Sequence, residues 1–474
     1  MTSAPAIKFG TSGWRAIISD EFTFDNVALV AEAIARYVLE TGVRNGLVVG
    51  YDTRFLGEAF ARRAAQVCAD AGIPVHFANR DVPTPVVAHQ IRALGCAGGI
   101  NITASHNPSQ YNGIKFSPAY GGPALPGVTT RIEHFANVIR EEGAGSTRAA
   151  TPAGITEFDP RPEYAAKIEQ LINFDAIAAA GLRLAVDAKY GTSRGYLDKL
   201  PADHAIETVV INDYPDPLFG GKHSEPNGAN LDELRRVVLD AGCALGLATD
   251  GDGDRFGVLD ADGDYLEANM IIALAAHHLY AHRGKTGAVA RTRATSHVVD
   301  AVCAHHGGEA IQTPIGFKYL GDLLEHRRVF LGGEESGGLS VDDHVPEKDG
   351  IYACLLMAEV VAVEGRPLKE VLAGVFAAIG REYHTRRINV ALDAAKMHKL
   401  VEALRGDVPK ALQRLDVAAT DTAEGAKYML ADGNWVMFRP SGTEPVARCY
   451  IDADSAESLA RLDAAAREFL KQFM

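Results

Sequence analysis

Three times in the first three quarters of the chain an apolar strand pattern alternates with amphipathic helix patterns, and no other feature limits the fold as much. Residues 46–50 read as a buried strand, 58–71 as a helix and 74–77 as the next strand. The pattern restarts over 182–186, 207–211 and 243–248. It restarts again over 287–290, with a helix at 296–305 and a strand at 328–331. Strands alternating with helices predict α/β sheets built around parallel pairs. The last segment has another character: a strand at 387–391, a helix at 394–404, two strands near Trp435 and Arg448, and a closing helix from Ser455. That order predicts an α+β domain. A chain of 474 residues exceeds a single core. The expected domains are 1–145, 155–256, 257–370 and 380–474. Residues 143–154, rich in Gly, Ala, Thr and Ser, are expected to form a linker. Residues 364–367 and 380–382 are expected to bracket the entry to the last domain.

Charge and cysteine usage narrow the class. A net charge of -14 argues against nucleic acid or an anionic membrane as partner, so an anionic substrate needs local basic groups that overturn the global sign. Six scattered cysteines without a C-x-x-C pair suit reduced thiols rather than disulfides or zinc. The N-terminal residues lack a signal-peptide pattern, and the longest apolar stretch, near 270–276, is too short for a bilayer. The expectation is a soluble cytoplasmic protein, monomer or homodimer.

Chemistry is concentrated in short glycine-framed loops. Thr103-Ala104-Ser105-His106-Asn107-Pro108 follows an apolar run and holds a serine hydroxyl at a strand end, where an Asn-Pro turn is the competing reading. In Asp250-Gly251-Asp252-Gly253-Asp254-Arg255 three carboxylates at alternate positions cannot share a helix face, and the glycines let the loop curl their oxygens onto one hard cation. An EF-hand is excluded, because Arg255 stands where its glycine would be and Ala261 where its bidentate glutamate would be. An acidic surface turn is the bland alternative. Arg439-Pro440-Ser441-Gly442-Thr443, with Arg448 beyond, offers an arginine fork, hydroxyls and backbone N–H groups to a phosphate, or a plain turn between strands. Gly333-Glu334-Glu335-Ser336-Gly337-Gly338 carries donors and acceptors suited to vicinal sugar hydroxyls. Lys115 and Lys348 are candidate cations or proton carriers, though either could be a solvated surface charge. Gly10-Thr11-Ser12-Gly13-Trp14-Arg15 frames an arginine that could face a phosphoryl group.

With its motifs in order at 10–15, 103–108, 249–255, 333–338 and 439–445, the chain resembles the α-D-phosphohexomutase superfamily of phosphoglucomutases, phosphomannomutases and phosphoglucosamine mutases along its whole length. The resemblance implies four domains around a central cleft, three α/β domains with mixed sheets and a C-terminal α+β domain. It implies a phosphoserine at Ser105 and Mg²⁺ held by Asp250, Asp252, Asp254 and a Ser105 phosphoryl oxygen. Arg15 and Lys115 would flank the transferring group, with Lys348 as a further catalytic group. Thr11, Ser12, His106, Arg255, Glu334 and Ser336 would bind substrate, and Arg439, Ser441, Gly442, Thr443 and Arg448 would hold its second phosphate.

The implied reaction interconverts glucose 1-phosphate and glucose 6-phosphate through a hexose 1,6-bisphosphate, which also serves as activator. Closure of the cleft would require motion of the last domain across the joint at 365–381. Dual-specificity relatives often close the sugar loop with histidine, as GEMSGH. Gly338 stands there instead, which favours glucose and shifts proton transfer toward Lys348, whereas TDGDGDRFG is closer to the bacterial phosphomannomutase style. The alternatives are a phosphomannomutase or dual-specificity enzyme, and a Mg²⁺-dependent sugar-phosphate phosphatase; a non-catalytic sugar-phosphate binder conflicts with the intact serine and aspartates.

Overall fold

A computed structural model describes residues 7–10, 13–142, 147, 149–441 and 445–474. Among the described residues the strands form four sheets, one for each successive domain. The first holds β1 (Trp14–Ile17), β2 (Leu47–Tyr51), β3 (Val75–Ala78), β4 (Gly98–Ile102), β5 (Tyr111–Pro118) and β6 (Ile155–Phe158), in the order β1-β5-β4-β2-β3-β6. Its centre is parallel, and β5 runs antiparallel to both β4 and β1. The second holds β7 (Arg183–Asp187), β8 (Glu207–Ile211), β9 (Leu245–Thr249), β10 (Phe256–Asp260) and β11 (Tyr265–Leu266), with β10 antiparallel to β9. The third holds β12 (Ala288–Thr292), β13 (Glu309–Thr313), β14 (Leu331–Glu334) and β15 (Gly338–Val341), the last antiparallel. The fourth is antiparallel throughout, in the order β16 (His384–Ala391), β20 (Val446–Ala453), β19 (Trp435–Pro440), β18 (Ala426–Leu430), β17 (Val417–Asp421). The three mixed α/β sheets and the α+β end follow the expected class.

The α/β strands carry their side chains into cores on both faces, which is why β2, β4 and β9 are buried at every position and read as continuous apolar runs. One element ties two domains together. The helix Gly350–Glu364 is buried from Gly350 to Val361, and shares a core with Val186, Leu247 and Val258 of the second sheet and Leu331 and Leu339 of the third. It starts on Asp349, whose side chain accepts from Tyr352 N as N-cap, and ends on Gly365 in the left-handed region. The C-terminal domain has its own core around Val436, Phe438, Ile451 and Phe469. It docks on the third domain through Trp435, Met437 and Tyr450 against Ala294. Asp452 seals that contact by accepting from Ser296 Oγ (2.9 Å) and His297 N (2.9 Å).

Five expectations shift. Residues 149–154 do not hang free as a linker: Ala149 N and Ala153 N donate to Asp70 O and Ala69 O, leading the chain into β6. Residues 155–158 therefore complete the first sheet instead of opening the second domain. A boundary at 256/257 would cut β10, and one at 370 would cut the helix Leu368–Ile379, which packs into the third domain's core and narrows the joint to the residues after Gly380. The strand expected from 328 starts at Leu331, because Arg327 takes a positive φ of 49° and Arg328 N still caps the preceding helix at Leu323 O. Strands β17 and β18 had no counterpart in the sequence reading. The six cysteines are buried and unpaired, and among the described residues no helix is long and apolar enough to cross a membrane.

Candidate active site

Ser105 sits just past β4 with φ of 51°, a left-handed conformation that costs a non-glycine residue about 1–2 kcal/mol. The loop is held there by Arg54, whose guanidinium donates to the carbonyls of Ser105 (2.6 Å), Asn107 (2.6 Å), Pro108 (2.8 Å) and Tyr111 (2.9 Å). Asp52 neutralises that buried arginine at 3.1 Å and also accepts from Thr103 Oγ1 at 2.6 Å; Thr103 Oγ1 in turn accepts from Ser105 N at 2.9 Å. Burial pushes the Asp52 carboxyl up to about 6, against the pull of Arg54 and Thr103. The result is a serine whose backbone is fixed on every side while its hydroxyl points away, toward Asp250.

The hydroxyl donates to Asp250 Oδ2 at 2.7 Å, and His106 Nδ1 lies 3.4 Å from the same hydroxyl oxygen. Asp250, Asp252 and Asp254 are fully buried, and one ligand oxygen from each lies within 4.8 Å of the others. Gly253, at φ +70°, makes the turn that brings the second and third together. Lys115 Nζ donates to Asp252 Oδ2 (2.6 Å) and Asp254 Oδ2 (2.9 Å), and Lys348 Nζ lies 3.2 Å from Asp254 Oδ2. Thr84 Oγ1 completes the cage on Asp252 at 2.6 Å. Burial, then the two neighbouring aspartates, lifts Asp250 well above the ordinary carboxylate range. Burial also opposes ionisation of Asp254, but Lys115, Lys348 and Arg255 outweigh it and hold that carboxyl below its usual value.

These residues fit a hard dication. Asp252 Oδ1 and Asp254 Oδ1 are buried with no hydrogen-bond partner, an arrangement that costs free energy unless something else is bound there. Three carboxylates with spare oxygens are the donor set Mg²⁺ accepts while keeping positions for a phosphoryl oxygen. Arg15 approaches from the first domain, donating to Asn107 Oδ1 at 2.7 Å.

Across the cleft, Glu334 ends β14 and accepts from Ser336 Oγ at 2.6 Å, while Glu335 turns the other way to Thr292 Oγ1 at 2.8 Å. Lys348 lies across Gly338: a Cβ there would meet Lys348 Cδ at 2.2 Å. On the C-terminal sheet, Arg439 pairs with Arg448, Arg448 with Asn389, and Tyr450 with Arg387. Residues paired across strands, and those two apart along one, share a sheet face, so Arg387, Arg439 and Arg448 form one cationic face with Ser441 beside it. A cavity of about 520 Å³ opens between this face and the second and third domains, lined in part by Glu225, Ser336, Glu335, Arg387 and Tyr450. Glu225 spans the gap, accepting from Arg255 Nη1 (3.0 Å) and Arg387 Nη2 (3.3 Å). His106 lies in the field of Arg255, Arg15, Arg387 and Lys348; burial first and those charges next push it well below its usual value, so its ring is neutral.

The structure thus gathers Ser105, His106, Arg15, Lys115, Asp250, Asp252, Asp254, Arg255, Glu334, Ser336 and Lys348 from three domains into one cleft, with Arg439, Ser441 and Arg448 on the fourth. Thr11, Ser12, Gly442 and Thr443 lie outside the described residues. The sequence reading missed Arg54, Asp52, Thr84, Glu225 and Arg387. None sits in a glycine-framed motif, and only the fold brings them to the loops they brace.

A buried serine against a carboxylate triad, ringed by lysines and arginines and faced by a separate cationic sheet, makes a cleft suited to an anionic ligand. Residues 6–142 match "Phosphoglucomutase/phosphomannomutase, alpha/beta/alpha domain I", 162–263 match domain II, 267–379 domain III and 388–469 the C-terminal domain of the same family. The chain belongs to the phosphoglucomutase/phosphomannomutase family of the α-D-phosphohexomutase superfamily. A solved structure from Thermus thermophilus, assigned provisionally as a phosphomannomutase, is similar at 31% identity with a TM-score of 0.86, covering 99% of this chain and 100% of that one. A probable phosphoglucosamine mutase of Methanothermobacter thermautotrophicus is 29% identical over 98% of this chain and 97% of its own length. A phosphoglucomutase of Komagataeibacter xylinus is 28% identical over 97% and 89%.

Proposed function

We propose that the protein is a phosphohexomutase that interconverts glucose 1-phosphate and glucose 6-phosphate, with Ser105 as the phosphoryl carrier. The observation that carries the reading is the Ser105 hydroxyl held at 2.7 Å from a buried aspartate triad with orphaned oxygens. Asp250, Asp252 and Asp254 would hold Mg²⁺ with a phosphoserine oxygen, and the ion would neutralise charge on the phosphoryl in flight. The chain's residues do the rest. The Oγ–P bond of phosphoserine breaks as the 6-hydroxyl of glucose 1-phosphate bonds to phosphorus; that hydroxyl loses its proton and Ser105 Oγ, the leaving group, takes one up, so the transfer exchanges no net proton. The bisphosphate turns over and returns its other phosphate to Ser105. Arg15 and Lys115 face the transferring oxygens, and positioning with charge stabilisation supplies most of the rate.

Lys348, raised above its usual value because Asp254, Glu347 and Glu334 outweigh its burial, is an ammonium in this arrangement. In that state it can give a proton but not take one, so its part in proton transfer is that of an acid. Glu334 and Ser336 take sugar hydroxyls, and Arg439, Ser441 and Arg448 anchor the far phosphate, where remote binding aligns the reacting end. The 1,6-bisphosphate serves as activator by priming Ser105.

Glucose is favoured because the sugar loop closes on Gly338 with Lys348 packed against it, leaving no room for the histidine of GEMSGH-type loops. Glucosamine 1-phosphate is a second reading, favoured by the name of the Methanothermobacter relative at 29% identity. A coupled assay with Mg²⁺ and the 1-phosphates of glucose, mannose and glucosamine, with and without hexose 1,6-bisphosphate, decides. Bisphosphate-stimulated turnover best on glucose 1-phosphate and lost in Ser105→Ala is expected. Preference for another sugar removes the glucose assignment, and release of free phosphate removes the mutase one.

A further inference from the structure

Five of the chain's 16 histidines gather at one end of the third domain. His277 and His278 lie near the C-terminal end of the helix Ala268–Ala281, His282 caps it, and His305 and His306 close the helix Val298–His305. His278 is already committed: it pairs at 2.8 Å with Glu359, which also binds Arg283. The others leave a different arrangement. His282 Nε2 is 2.9 Å and His277 Nε2 4.0 Å from the same oxygen, Glu364 Oε1, and one ligand atom from each residue lies within 4.8 Å of the others. The second Glu364 oxygen accepts from Arg366 at 3.0 Å, which orients the carboxylate. The other nitrogen of His277 lies 3.0 Å from His306 Nε2, which fixes the ring with Nε2 toward Glu364.

We propose that His277, His282 and Glu364 form a site for a zinc-class dication that clamps the C-terminal end of the helix Ala268–Ala281 to that of the helix Gly350–Glu364. Two imidazole nitrogens and one carboxylate oxygen are a donor set zinc uses with a fourth position left for water, whereas Mg²⁺ prefers oxygen alone. His306 Nε2, 3.0 Å from the second nitrogen of His277, is placed to act as that residue's outer hydrogen-bond partner. The side chains are 20%, 36% and 13% exposed, open enough for an ion to enter and sheltered enough to hold geometry. The site is distinct from the cleft. Gly350 touches the aspartate loop through Gly253 O, and Glu364 lies at the other end of the same 15-residue helix, about 20 Å along its axis.

Calorimetric titration of the full chain with Zn²⁺, in saturating Mg²⁺ to fill the aspartate loop, tests the assignment. One zinc per chain is expected, bound more than about ten-fold more weakly after His277→Ala or His282→Ala, and unaffected by Asp252→Asn. Glu364→Gln, nearly isosteric, should weaken zinc in the same way while leaving the fold's volume unchanged. Failure of the wild-type chain to bind zinc overturns the proposal. So does zinc that survives both histidine substitutions and Glu364→Gln, or that disappears with Asp252→Asn.

Discussion

The strand β10 is flanked by two nearly identical acidic loops with opposite fates. Asp250-Gly251-Asp252-Gly253-Asp254 precedes it, and Asp260-Ala261-Asp262-Gly263-Asp264 begins at its last residue. Both turn on a glycine with positive φ, +70° at Gly253 and +80° at Gly263. In both, one lysine bridges the second and third acids: Lys115 at 2.6 and 2.9 Å, Lys369 at 2.7 and 2.6 Å. The side chains of Asp252 and Asp254 are 0% exposed, and those of Asp262 and Asp264 are 54% and 68%. Asp260 is spent on structure, accepting from Leu368 N and Lys369 N at the start of the helix Leu368–Ile379. Spacing and local geometry are therefore not what makes a site. The first loop is covered by the first and third domains, so its charges stay strong and two of its oxygens are left without partners; water screens the second.

The largest test of that contrast is the matched pair Asp252→Asn and Asp262→Asn. The first should lower kcat/KM roughly 10³-fold in the coupled assay, and the second should leave it within about two-fold. Equal losses would erase the distinction. Exchanging the cations is the next test. Lys115→Met removes the cation that bridges Asp252 and Asp254 and, on the proposed reaction, should cost roughly 10²-fold in kcat/KM, whereas Lys369→Met, a surface change, should alter unfolding stability by no more than about 1 kcal/mol. Asp260→Ala takes away a helix cap, so the denaturant midpoint should fall by the equivalent of about 1–2 kcal/mol with turnover intact. Loss of turnover there would mean that the outer loop reaches the chemistry.

Acid gives the subtlest separation. Because burial and its neighbours raise Asp250, a proton competes with Mg²⁺ there above the ordinary carboxylate range. The Mg²⁺ concentration for half-maximal activity should therefore rise as pH falls through mildly acidic values. Asp262, held below its usual value first by its bond to Lys369, stays ionised over that range. A magnesium requirement that does not change with pH would contradict the shared burial of the triad.

The comparison also explains what could be read in the sequence. Residues 249–255 stood out because glycine-spaced acids follow an apolar run. The copy at 260–264 has almost the same letters; what separates the two is the burial of the second and third acids and the use of Asp260 by the helix Leu368–Ile379. The four-domain architecture was legible from strand and helix periodicity, whereas β6, four residues directly after the Gly/Ala/Thr/Ser-rich segment 143–154, was missed because its pairing partner, β3, is remote in sequence. Ser105 was visible, but Arg54, which anchors its loop by four carbonyls, had no local signature. Glu225 and Arg387 meet only because the second and fourth domains do.

The most direct test of the account is covalent. Incubated with glucose 1,6-bisphosphate and Mg²⁺, the protein should gain one phosphoryl group per chain by intact mass, mapped to Ser105, absent in Ser105→Ala and abolished by Asp252→Asn but not by Asp262→Asn. Phosphate on another residue, or transfer that persists in Asp252→Asn, would contradict it.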